Sequence, residues 1–68
     1  MKTDKEILEA NAHISDAEVL ADIYDTEMEI SVRVRLNYDE EGVKERRDFV
    51  EKLRHLLELR EAHGNNDN

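Results

Sequence analysis

Cysteine and proline are both missing from this chain, and glycine occurs only at positions 42 and 64. Without cysteine there can be no disulfide, no thiolate zinc site and no thiol nucleophile, and the composition suits a reducing compartment such as the cytoplasm. Without proline, no slow peptide isomerisation need limit folding. Two isolated glycines cannot build a phosphate-cradling loop, and no nucleophile motif is present. No apolar run reaches seven residues, which leaves nothing to act as a signal peptide or membrane span. An enzyme is therefore not expected, nor is a cofactor, and no membrane partner is foreseen.

What the chain does have is charge. Of its 68 residues 41% are charged, and the formal net charge is −8. The imbalance lies in residues 1–29, where nine acids face only Lys2 and Lys5, while residues 30–63 carry eight acids and eight bases. A field of that sign disfavours phosphate backbones and anionic lipid and favours a basic protein partner. Size and composition are those of short bacterial or phage accessory proteins in general, a likeness that assigns no family.

A single domain over residues 1–64 is expected, with 65–68 as a polar tail. Such a domain buries only about 60% of the surface of its unfolded chain. Its large apolar residues number 21, a thin core of the kind that a second subunit often completes.

Thr3-Asp4-Lys5-Glu6 and Ser15-Asp16-Ala17-Glu18 are both capping-box patterns. They predict two short helices, from about Asp4 to His13 and from about Asp16 to Asp25. For the second, a strand over 17–24 is the rival. From Met28 to Tyr38 apolar and polar residues alternate without a fault, which predicts a long strand with Met28, Ile30, Val32, Val34, Leu36 and Tyr38 on its buried face. A long helix should follow from about Glu40 to His63, with Val43, Phe49, Val50, Leu53, Leu56 and Leu57 as its apolar stripe. Asp48–Lys52 and Arg47–Glu51 would be charge pairs on its flanks, and Gly64 a left-handed cap. The fold class expected is α+β.

One long strand leaves two unpaired edges. Pairing with the same strand of a second copy would give a homodimer, its interface formed by Ile30, Val32, Val34 and Leu36, with Leu59 exposed beside it. An internal hairpin with 17–24 would instead allow a monomer. Arg33 and Arg35 would stand side by side on the outer strand face, where a twofold ribbon could read nucleic acid, although solvation of that face is the simpler role. Asp16, Glu18, Asp22, Asp25, Glu27 and Glu29 place six carboxylates within fourteen residues, enough to dock on a basic protein or to mimic phosphates. Glu51 and His55 have helical ligand spacing, but no third ligand follows in register and no metal is expected. His63 suits the end of a helix and His13 a chain break. The function expected is regulatory or accessory, exercised by protein–protein contact, with nucleic acid an unfavoured partner.

Overall fold

The computed structural model describes residues 2–64, and these form three helices: α1 (Asp4–Ala10), α2 (Asp16–Leu36) and α3 (Glu40–Gly64). Among the described residues there is no strand, so the expected α+β class is replaced by an all-helical one. The tail over 65–68 lies outside the described residues.

Both capping boxes form. The Thr3 hydroxyl accepts the Glu6 amide proton at 3.2 Å, and Ser15 accepts that of Glu18 at 3.1 Å, each with acids filling the first helical turn where the backbone N–H dipoles favour them. Helix α1 is shorter than expected. It stops at Ala10, where the Asn11 side chain donates back to the Ile7 carbonyl at 2.8 Å and ends the turn.

The expected strand over Met28–Tyr38 is the continuation of α2. Nothing between Asp16 and Leu36 breaks a helix, since neither proline nor glycine occurs there. At 100° per residue the alternating apolar residues divide between two faces. Val19, Ile23, Thr26, Ile30 and Arg33, spaced by four and three, turn inward. Met28, Val32 and Leu36 turn outward. Arg33 and Arg35 lie in the last turn, where cations suit the carbonyl end of the dipole. Asn37 then takes a left-handed conformation (φ 55°), and the Tyr38 amide donates to the Arg33 carbonyl at 3.1 Å, a Schellman-type ending. With the strand, both the intersubunit ribbon and the internal hairpin disappear.

Residues 37–39 reverse the chain. Asp39 also has positive φ (58°), and its carboxylate accepts the Gly42 amide proton at 3.1 Å, capping α3. A Cβ at position 42 would meet that carboxylate, so a larger residue there would push the capping side chain of Asp39 aside. Gly64 ends α3 without a left-handed conformation, contrary to its expected role as a cap.

Helices α2 and α3 pack as a hairpin, and α1 packs on α3 alone. The core joins Val19, Ile23, Val50 and Leu56, with Ile7, Leu8, Ile14, Ile30, Leu53 and Leu57 packed around them. Leu59 is buried, not exposed, and Phe49 is 45% exposed although it was expected in the stripe. The molecule measures 46 × 26 × 17 Å, and its radius of gyration is 14.1 Å against about 11 Å for a compact chain of this length. Such a shape keeps a large surface relative to its interior.

Candidate interaction surface

Helix α2 faces α3 with one side only, and its opposite side is also apolar. Leu20, Tyr24, Met28, Val32 and Leu36 recur every fourth residue with fractional exposures of 55, 65, 53, 39 and 64%, a stripe that winds about 40° per step, so that Tyr24, Met28 and Val32 share the outward face and Leu20 and Leu36 lie at its two edges. Ala17 and Ala21, both exposed, lie on the same face and keep it low near the N-terminal end. Neither α1 nor α3 covers this stripe, which runs the length of a helix about 31 Å long.

The acidic residues singled out in the sequence do not form one free patch. Arg60 donates to Asp16 at 2.6 Å, Arg54 to Glu27 at 2.6 Å and Arg46 to Glu29 at 3.1 Å, three ion pairs that tie α3 to α2 along the hairpin. Glu18 is drawn into the Ser15 capping box, its carboxylate 3.3 Å from the Ser15 hydroxyl. Asp22 and Asp25 are exposed and enter no ion pair among the described residues. Asp48–Lys52 and Arg47–Glu51 do not close. The arginines of α3 that do pair reach across the hairpin instead of along their own helix.

Arg33 and Arg35 are also separated. Two residues apart on a helix they diverge by about 200°. Arg33 is half-buried at the turn. Its Nε donates to Asp39 at 3.0 Å, its Nη1 donates to the Glu29 carbonyl at 3.2 Å, and its guanidinium lies 5.8 Å from the centre of the Tyr38 ring. The Asp39 hydrogen bond raises the Arg33 pKa above its ordinary value. In return, Arg33 and then the Gly42 amide hold the Asp39 carboxyl below the usual 3.8. These are interactions that fix the turn. Arg35 points outward at the C-terminal end of the apolar stripe and enters no ion pair among the described residues.

Of the apolar residues assigned to a dimer interface, Ile30 is half-buried against the core and Leu59 is used up within the chain. Val34, 53% exposed, borders an open groove of about 490 Å³ between α2 and α3 that Arg47 and Arg54 flank. Val32 and Leu36 belong to the outward stripe. Leu20, Tyr24 and Met28 complete it, and sequence reading missed the face because it placed Met28, with Val32 and Leu36, on the buried side of a strand. Their four-residue spacing was the available signal. Among the described residues no three of His, Asp and Glu converge as metal ligands, and no helix is long and apolar enough to cross a membrane.

No protein-family model matches this chain, and neither the curated proteins nor the solved structures contain a significant match to it.

Proposed function

We propose that this chain is a non-catalytic interaction protein, of regulatory or accessory role, whose binding surface is the outward face of α2. One observation carries the reading: among the described residues eight large hydrophobic residues are exposed and six hydrophobic residues are buried. Five of the eight form a single helical stripe. Contiguous apolar surface of this kind is the usual mark of a protein contact, and a helical stripe with four-residue spacing suits a partner helix laid alongside. A twofold ribbon was the basis for a base-reading role of Arg33 and Arg35, and it is absent with the strand. Phosphate mimicry has weak support as well, because Asp16, Glu27 and Glu29 already hold arginines of the same chain.

The test is a photoactivatable benzoylphenylalanine placed at Tyr24 or, as a control, at Glu58 on exposed α3. Irradiation in extract of the native host should give a discrete adduct from position 24 and none from 58. Excess wild-type chain should compete the adduct away, while chain carrying Tyr24→Lys and Met28→Lys should not. Equal labelling from both positions, or no adduct, would remove the assignment.

A further inference from the structure

Resting on that reading, we propose that the occupant of the α2 face is a second copy of the chain, laid antiparallel across a twofold axis that passes beside residue 26. Ala17, Ala21, Tyr24, Met28, Ser31 and Arg35 are all exposed and spaced by four and three, the repeat that keeps one seam facing a neighbouring helix. That seam is symmetric about position 26. Reversal of a second copy brings Tyr24 opposite Met28, Ala21 opposite Ser31 and Ala17 opposite Arg35, so bulky residues meet at the centre and small ones face polar ones toward the ends. Leu20 and Val32 flank the centre and extend its apolar area.

Charge selects the direction. Within α2, Asp16 and Glu27 are held by Arg60 and Arg54 and Arg33 by Asp39, which leaves Glu18, Asp22 and Asp25 in the N-terminal half and Arg35 in the last turn without an ion pair among the described residues. Parallel helices would set like ends together. Antiparallel helices set Arg35, which has no ion pair among the described residues, at the level of Ala17 and Glu18 of the other copy, and symmetry makes the contact twice. Asp25, one residue from the axis, meets its own copy, a local repulsion that the two outer contacts offset.

Area is consistent with a reversible association. A seam about 31 Å long on a helix about 10–12 Å across, contributed by each copy, buries on the order of 700 Å², below the roughly 1,000 Å² of a stable specific interface. The chain should therefore dimerise weakly, without the permanence of an obligate pair.

Sedimentation equilibrium of the full chain from about 10 µM to 1 mM tests this, since affinities in that range suit so small an interface. The mass should climb from 8.0 kDa toward twice that value. Tyr24→Lys with Met28→Lys should weaken association at least tenfold, Arg35→Glu or Glu18→Arg several-fold, and the two charge reversals together should restore most of the loss. Asp25→Asn should tighten it. Oxidation of a mixture of Tyr24→Cys and Met28→Cys chains should favour the 24-to-28 disulfide over the 24-to-24 and 28-to-28 species. Dominance of the symmetric species would overturn the antiparallel arrangement. A mass fixed at 8.0 kDa, with a photoadduct from position 24 to a different protein, would overturn the second copy and keep the face as a binding surface. Dimerisation indifferent to the α2 substitutions would overturn both this inference and the reading it rests on.

Discussion

Arg60 holds three acceptors at once: the Asp16 carboxylate at 2.6 Å, the Asn11 carbonyl at 2.8 Å and the Ile14 carbonyl at 2.6 Å. The two carbonyls belong to the connection between α1 and α2, so one side chain of α3 anchors a segment that has no helix of its own. Hydrogen bonds to a charged donor are worth about 1.5–3 kcal/mol each, less where water competes. Arg60→Gln should lower the free energy of unfolding by roughly 2 kcal/mol in urea titration, by the loss of charge-assisted bonds to the two carbonyls. Asp39 is the other residue with a distinct role, and it makes stability depend on pH. Because Arg33 and the Gly42 amide lower its folded pKa, the folded chain resists its protonation more than the unfolded chain does. Its contribution is complete above the ordinary value of 3.8 and disappears as pH falls through the lower folded value. Urea midpoints of the wild type and Asp39→Asn should keep a constant gap near neutrality, and that gap should close below about pH 4. Gly42→Ala should cost about 1–3 kcal/mol, since the added carbon forces the capping carboxylate away.

At the scale of the element, the inner stripe of α2 explains what sequence reading could and could not resolve. Both capping boxes, the start of α2 at Asp16 and the span of α3 were legible, because Ser, Thr and Glu at fixed offsets have a local mechanism. The second half of α2 was not. Two of its five inward positions are Thr26 and Arg33, a hydroxyl and a cation where an apolar stripe should read hydrophobic, and they broke the helical period. Meanwhile outward Met28, Val32 and Leu36 filled in a false period of two with inward Ile30. Packing against α3 decided between the periods. The charge pairs across the hairpin connect distant positions and were invisible to local spacing for that reason. Leu56, 3% exposed at the centre of the core, should cost about 2–4 kcal/mol on truncation to alanine. Thermal and urea unfolding of the Leu56→Ala chain would measure this loss.

For the whole molecule, the thin-core argument from composition holds in its physical content, since the six buried hydrophobics among the described residues must support a molecule 46 Å long. The surface it needs to cover lies elsewhere than was expected. A strand face was foreseen, and a helix face is what stands open, with Val32 and Leu36 common to both accounts. An association that covers this face stabilises the folded chain by mass action. The melting temperature should therefore rise with protein concentration in the wild type and stay level for the chain carrying Tyr24→Lys and Met28→Lys.

Helix α1 rests on α3 and makes no packing contact with α2. Seven residues are too few to persist as a helix once undocked, so detachment and melting of this segment are one event, and that event leaves the hairpin's own hydrogen bonds intact. The amides of Ile7 and Leu8 should consequently exchange with deuterium through a sub-global opening, at rates well above those of Ile23 and Val50. Denaturant should accelerate their exchange only weakly, since little surface is uncovered in that step.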